Sequence, residues 1–317
     1  IMKQFQNIVF LFLIMFLNVQ CHSQEKEPEF APYTIETTYQ KLKKHYPFII
    51  SIQPIVSHKI KSLENVVYKT IGNKQLEADV YIPIEKSIKI YPAVLLIHGG
   101  GWLTGSKENQ RVMAQHLALN GYVAITASSQ LGLEAPYPAA VNNLKDAIRW
   151  MRKNAEKYHI NPDKIAALGA SAGGQLVTLI GVTPNSSIYG FDKEISDEVQ
   201  AIINIDGIVS FIHPEASSEG QMASIWLNGS KEENFKNWKE ASPLEYLKTS
   251  SPPTLFINSS QPRFHAGRDD MITVLNKYAI YNEQHTIPES PHSFWLMNPW
   301  FETTLNQTVD FLNQVLK

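Results

Sequence analysis

The sequence predicts an α/β domain: a mostly parallel central sheet flanked by helices, with a long insertion in its second half. Three observations predict it. Short apolar runs alternate with segments of helical periodicity, the pattern of strands joined by crossover helices. Two of those runs end in glycine-rich turns, His98-Gly99-Gly100-Gly101-Trp102 and Gly169-Ala170-Ser171-Ala172-Gly173. The chain has 317 residues, 44% of them hydrophobic, which suits one large domain with a sizeable core.

Composition narrows the function classes. A net charge of -2 leaves no basic footprint for nucleic acid. The single cysteine, Cys21, excludes an intramolecular disulfide and a cysteine-based zinc site. Met2-Lys3 followed by the apolar Ile8 to Leu17 reads as a signal peptide over residues 1–24, cleaved after Gln24 and too short to span a bilayer. The expected location is therefore secreted or periplasmic, with no membrane span. Leu17 to Cys21 faintly resembles a bacterial lipoprotein signal, but Gln20 stands where such signals carry a small residue. A lipid anchor at Cys21 is the lesser reading.

Residues 25–61 form an N-terminal extension, first charged and proline-bearing, then a motif-free mixture of apolar and basic residues that packs on the domain proper, 62–317. Asn65 to Thr70 and Leu76 to Ile82, joined at Gly72-Asn73, predict a hairpin. Ala93 to Ile97 predicts a buried strand leading into the first glycine turn. Gln110 to Leu119 predicts a helix that stops at Asn120-Gly121, and Tyr122 to Ala127 the next strand. From Pro138 to Tyr158, Val141, Leu144, Ala147, Ile148 and Met151 fall on one helical face. Lys164 to Leu168 predicts the strand before Ser171, with a buried helix over Gln175 to Ile180. Ala201 to Ile205, Thr254 to Ile257 and Glu283 to Ile287 predict further strands, the last followed by a final helix. The stretch 211–251 is longer than a crossover requires.

Gly169 to Gly173 fits Gly-x-Ser-x-Gly, the strand-to-helix turn that holds a serine exposed and strained, with small neighbours so that strand and helix can approach. The His-Gly-Gly-Gly turn supplies backbone N–H groups to an oxyanion hole. On these two motifs the chain resembles the α/β-hydrolase superfamily, and within it serine esterases carrying the His-Gly-Gly-Gly-Trp and Gly-x-Ser-x-Gly-Gly patterns, secreted carbohydrate esterases acting on acetylxylan or acetylated pectin included. The resemblance covers roughly residues 62 to 317. It implies Ser171 as nucleophile, an oxyanion hole from Gly100 or Gly101 with Ala172, and a cap at 211–251 shaping the substrate pocket.

Serine needs a base, and the base needs an orienting acid. Among ten histidines His292 is the expected base, lying between the last strand and the last helix, where the resemblance places it. The acid departs from the family pattern. The segment after the 254–257 strand, Asn258 to Pro262, holds no carboxylate. Glu289, three residues before His292, ranks first; Asp270 ranks second, although with Asp269 it also fits a dipole-favoured helix start. Asp206, at the end of the 201–205 strand, is a further candidate.

Trp102, Arg263, His265 and Trp295, with Phe294 and Trp300, are expected around the mouth of the site. Aromatic faces stack on sugars, and an arginine binds a uronate carboxylate through two parallel hydrogen bonds. The expected partner is a carbohydrate ester, and the expected activity is removal of acetyl groups from xylan or pectin. Pectin methylesterase, general carboxylesterase, peptidase and non-catalytic binding protein are the alternatives. No metal and no cofactor is expected, since a protein nucleophile and backbone donors suffice for acyl transfer.

Overall fold

Eight strands of one sheet carry the molecule, in the order Ile60–Ile71, Lys74–Pro83, Val123–Ala127, Tyr91–Ile97, Ile160–Ala170, Ala201–Ile205, Thr254–Asn258 and Asn282–Thr286. The computed structural model describes residues 30–85, 90–218 and 220–317. The elements below belong to one compact unit, Ala31–Lys317. The expected signal peptide and Cys21 lie outside the described residues.

The first element among the described residues is α1 (Ile35–Leu42), and its start is set by Thr34. The Thr34 hydroxyl accepts from the Thr37 amide and the Thr37 hydroxyl accepts from the Thr34 amide, both at 3.0 Å. This reciprocal cap satisfies two helix-end donors. A two-residue strand, β1 (Ile50–Ser51), follows. The hairpin β2 (Ile60–Ile71) and β3 (Lys74–Pro83) turns at Gly72-Asn73 as expected. Then come β4 (Tyr91–Ile97), α2 (Arg111–Leu119), β5 (Val123–Ala127), α3 (Ala139–Lys153) and the single turn α4 (Ala155–Tyr158). The central pair is β6 (Ile160–Ala170) and α5 (Ala172–Val182), followed by β7 (Ala201–Ile205). The 211–251 stretch holds two short helices, α6 (Gln221–Trp226) and α7 (Phe235–Glu240). The chain closes with β8 (Thr254–Asn258), α8 (Arg268–Lys277), β9 (Asn282–Thr286), β10 (Met297–Asn298) and α9 (Trp300–Leu316).

Strands β4 to β9 run parallel, while β2 and β3 add an antiparallel edge. Leu168 of β6 lies beside Leu96 of β4 and Ile203 of β7. These three share a buried cluster with Met113 and Leu117 of α2 and Phe311 and Leu312 of α9. Side chains one position along a strand point to the opposite face. There Ile202 comes so close to Gly181 of α5 that an added Cβ would stand 2.5 Å from its Cδ1. Both faces of the sheet are thus covered at its centre, which is why β4, β5, β7 and β8 read as largely unbroken apolar runs rather than alternating ones.

Between α3 and α5 lies a buried ionic knot. Lys145 donates to Asp197 at 2.9 Å and to the Thr183 carbonyl at 2.6 Å, and Arg149 bonds the second Asp197 oxygen. Burial pulls the Lys145 ammonium below the usual lysine range despite its pairing. Such a pair is costly to bury but more costly to break, because one charge is then left unmatched.

Candidate active site

The turn between β6 and α5 places Ser171 at φ 54°, ψ -122°, a conformation that L-residues avoid unless the surroundings enforce it. The surroundings here are backbone. A Cβ on Gly169 would stand 2.0 Å from the Gly173 carbonyl oxygen, and one on Gly173 would stand 2.4 Å from that of Ile97. Only glycine allows β4, β6 and α5 to converge this closely, and the convergence drives Ser171 out of the strand end. The Ser171 amide donates to the Ile205 carbonyl at 2.8 Å, fastening the turn to β7.

His292 Nε2 lies 2.9 Å from Ser171 Oγ. Its Nδ1 donates to Asp206 Oδ2 at 2.7 Å. Asp206 is 1% exposed, at the first position after β7 and at φ 52°. Its other oxygen accepts the Ser259 amide at 2.9 Å. The carboxylate that meets His292 is therefore that of Asp206, and the structure does not bring Glu289 or Asp270, ranked ahead of it, to the imidazole. Glu289 is exposed at φ 54° on the loop before His292, so its carboxylate points to solvent rather than to the imidazole. Asp270 stands in the first turn of α8, where it faces His213 Nε2 at 3.3 Å. The segment after β8, which lacks a carboxylate, instead contributes the Ser259 amide that holds the carboxylate of β7.

The order Asp206, His292, Ser171 is the geometry in which a carboxylate fixes the imidazole tautomer and leaves Nε2 free to take the hydroxyl proton. Two aromatic rings fix the imidazole plane. Phe264 stacks on it with centroids 3.5 Å apart and planes 13° apart, and Trp295 meets it edge-on at 5.1 Å. Phe264, on the 3₁₀ turn Pro262–His265, carries no motif of its own in the sequence. Its only signal there is its place just beyond the strand that follows the nucleophile's neighbour.

Gly100, Gly101 and Ala172 line the same cavity as Ser171, about 760 Å³ in volume. The Ala172 amide belongs to the first turn of α5, where helix N–H groups have no intrahelical acceptor. Gly100 is at φ 118°, and a Cβ there would stand 2.1 Å from the Thr104 carbonyl oxygen, so the loop tolerates no side chain. His98 buttresses the loop from below. Its Nδ1 donates to the Gly99 carbonyl at 2.7 Å, and burial holds its proton affinity below the usual histidine value.

The residues expected at the mouth divide. Arg263 lines the cavity, and its guanidinium lies 4.5 Å from the Phe264 ring centroid. Trp102 borders the cavity, but its indole stacks on Trp226 at 5.3 Å and donates to Gln175 Oε1 at 2.9 Å. The ring is committed to an aromatic cluster with Phe211 and Tyr137, rather than to a sugar. Trp295 is 2% exposed and serves His292 from the protein side. Phe294 and Trp300 are buried as well. His265 is half-buried outside the cavity lining, and desolvation lowers its proton affinity. Among the described residues of the 211–251 stretch, Gly220 to Ala223 at the start of α6 reach the cavity.

The N-terminal extension does more than pack. Tyr33 and the α1 residues Thr37, Thr38 and Lys41 form one cavity wall. The Tyr33 hydroxyl pairs with Ser293 Oγ at 3.0 Å, beside His292. Asn109 donates to the Tyr33 carbonyl at 2.8 Å, and β1 pairs with β10.

Among known proteins, the BD-FAE family model matches residues 78–272. The probable carboxylic ester hydrolase LipM of Mycobacterium tuberculosis is 25% identical over 207 residues, 63% of this chain and 46% of that protein. The chain spans about half the length of the curated relatives it matches. A truncated carbohydrate esterase from gut microbiota superposes with a TM-score of 0.68 at 21% identity, covering 83% of this chain and 99% of that one. Esterase Est2 of the Planctomycetes species Thermogutta terrifontis gives a TM-score of 0.67 at 24% identity, covering 83% and 94%. These likenesses show the fold to be that of the α/β-hydrolases.

Proposed function

The chain belongs to the BD-FAE family, and from that membership and its site we propose that it is a secreted serine esterase. In this reading it removes small acyl groups, acetyl foremost, from plant-type polysaccharides such as xylan or pectin. The observation that carries the proposal is the line Asp206–His292–Ser171 at the wall of one large cavity. Ser171 attacks the ester carbonyl as His292 takes its proton, and the amides of Gly100 or Gly101 and of Ala172 receive the oxyanion. His292 then returns the proton to the departing sugar hydroxyl. Water, activated by the same imidazole, releases the acid from the serine.

Room in the cavity supports a bulky alcohol. About 760 Å³ is within the range that binds drug-sized ligands, far more than an acetyl group fills. Met222 crowds the glycine loop, where a Cβ on Gly101 would stand 2.5 Å from its Cε. The carbohydrate esterase among the structural neighbours supports a saccharide as the alcohol. With Asp206 on the imidazole, the missing acid no longer favours a binding protein.

A hydrolysis panel tests the reading: acetylated xylan, acetylated pectin, methylated pectin, a peptide and p-nitrophenyl acetate. Acetate release from one acetylated polymer at a kcat/KM above that for methanol release from pectin is the expected result. Peptide cleavage, or activity on p-nitrophenyl acetate alone, would replace it with a peptidase or a general carboxylesterase.

A further inference from the structure

His292 sits on a loop with an anchor on each side. Upstream, the Ser290 amide donates to Ser260 Oγ at 3.2 Å and the Ser290 hydroxyl to the Ile287 carbonyl at 2.8 Å. Downstream, Ser293 turns the chain at φ 71°, ψ 20° into the 3₁₀ turn Phe294–Leu296, a left-handed step that is uncommon outside glycine. A residue keeps such a conformation where its surroundings over-determine it. Here the Leu296 amide donates to the Ser293 carbonyl at 3.1 Å, and the Ser293 hydroxyl pairs with that of Tyr33 at 3.0 Å.

Tyr33 lies 260 positions from Ser293 in sequence and is itself held in place. Its carbonyl accepts from Asn109 Nδ2 at 2.8 Å, on the 3₁₀ turn Lys107–Gln110. The next residue of that turn, Gln110, donates to the Ile97 carbonyl at the end of β4 at 3.1 Å. The Tyr33 ring faces the bare backbone of Gly99, where an added Cβ would stand 3.4 Å from Tyr33 Cε1 and 3.1 Å from Ser171 Cβ. Tyr33 thus bridges the loop that carries His292 and the glycine loop. Past α1 the same segment grips the stretch after His292 again: the Ile52 amide donates to the Leu296 carbonyl at 3.1 Å, and β1 pairs with β10. Desolvation raises the Tyr33 phenol above its ordinary value near 10, so the hydroxyl keeps its proton.

We propose that Tyr33 is a positioning residue for the reaction: through Ser293 it fixes the downstream side of the His292 loop and keeps the imidazole 2.9 Å from Ser171 Oγ. The proposal rests on the ester-hydrolase reading and adds the N-terminal segment to its machinery. Tyr33 acts through Ser293 rather than on the ester, so its loss falls on the proton transfer and not on substrate affinity. One hydrogen bond is modest in stability. A base displaced by a fraction of an ångström nonetheless slows the step it serves, because reaction depends on a near-attack geometry. The segment from Tyr33 to Ser51 carries no motif, which conceals this task in the sequence.

The test uses the full chain and a double-mutant cycle. Tyr33→Phe keeps the ring and removes the hydroxyl, and Ser293→Ala removes the other half of the pair. On p-nitrophenyl acetate each is expected to lower kcat about three- to tenfold, the worth of one hydrogen bond, with KM within about twofold of wild type. The double variant loses no more than the larger single loss, since the two hydroxyls act as one contact. A second readout is the downfield proton resonance of His292 Nδ1–H, shared with Asp206 and identified by its loss in Asp206→Asn. In both single variants that proton exchanges faster with water. Thermal melting confirms that the variants fold. An unchanged kcat in Tyr33→Phe, a rise in KM alone, or single losses that multiply in the double variant overturn the positioning role. A wild type inert towards every ester, p-nitrophenyl acetate included, overturns the esterase reading instead. In that event the resonance decides the positioning role alone: faster exchange in Tyr33→Phe upholds it, and an unchanged rate rejects it.

Discussion

Asp206→Asn is the substitution that separates the geometry from the sequence expectation. The asparagine keeps Oδ1, so the Ser259 amide, 2.9 Å away, retains its acceptor and the loop after β8 stays in place. What changes is the atom facing His292. An amide NH₂ replaces the carboxylate oxygen at 2.7 Å and must donate to Nδ1, which moves the imidazole proton to Nε2. Nε2 is the atom 2.9 Å from Ser171 Oγ, and once protonated it cannot accept the hydroxyl proton. A wrong tautomer costs about 10⁴ in kcat, or about 5 kcal/mol at 1.36 kcal/mol per decade. Glu289→Gln, on an exposed side chain, is expected to remain within twofold. Steady-state hydrolysis of p-nitrophenyl acetate, paired with a thermal melt of each variant, measures both. Asp206→Asn within tenfold of wild type, or Glu289→Gln matching its loss, would refute the tautomer argument.

Other expectations follow from the same contacts. Phe264→Leu removes the ring stacked on His292 and should lower kcat about two- to tenfold with KM little changed, the worth of one aromatic pair; Phe264→Tyr should recover most of it in the same assay. Asp197→Asn leaves the buried Lys145 cation without its counter-charge and should cost about 3–5 kcal/mol in denaturant unfolding. His98 is held below its ordinary value near 6.5 by burial, so between the two values the unfolded chain binds a proton that the folded one refuses. Its contribution is present above that ordinary value and is lost as pH falls through the folded one. Melting temperature should accordingly drop as pH falls from about 7 to 5, with a shallower slope in His98→Asn.

The strands, their order of appearance and the two glycine turns were legible because each rests on local pattern. An apolar run between turn residues needs no partner to be recognised, and Gly169 to Gly173 states the close approach of β4, β6 and α5 in its own composition. The carboxylate that meets His292 was named only as a further candidate, because nothing near Asp206 in sequence marks it beyond its place at a strand end. Its role depends on β7 lying beside β6, which puts the first residue after one strand next to the first residue after the other. Glu289 is closer in sequence to His292, yet backbone direction turns it outward. Ligand sites of open α/β sheets lie outside the carboxyl ends of adjacent strands, and that rule applied to Ala201–Ile205 would have ranked Asp206 higher. The aromatic residues were hard to place for a related reason. Trp102, Trp295 and Trp300 are placed by long-range packing, and a tryptophan near a motif reads the same whether it faces a sugar or the core. The contribution of α1 to the cavity wall was equally hidden, since it depends on the pairing of β1 with β10 at the far end of the chain.

The central claim is that Ser171 carries the acyl group, and intact-protein mass spectrometry tests it most directly. A fluorophosphonate should add one mass equivalent to the wild type, peptide mapping should place it on the segment holding Ser171, and Ser171→Ala should stay unmodified while its hydrolytic turnover falls by about six orders of magnitude. An adduct on any other residue, or a Ser171→Ala variant that keeps turnover within tenfold of wild type, would contradict the account.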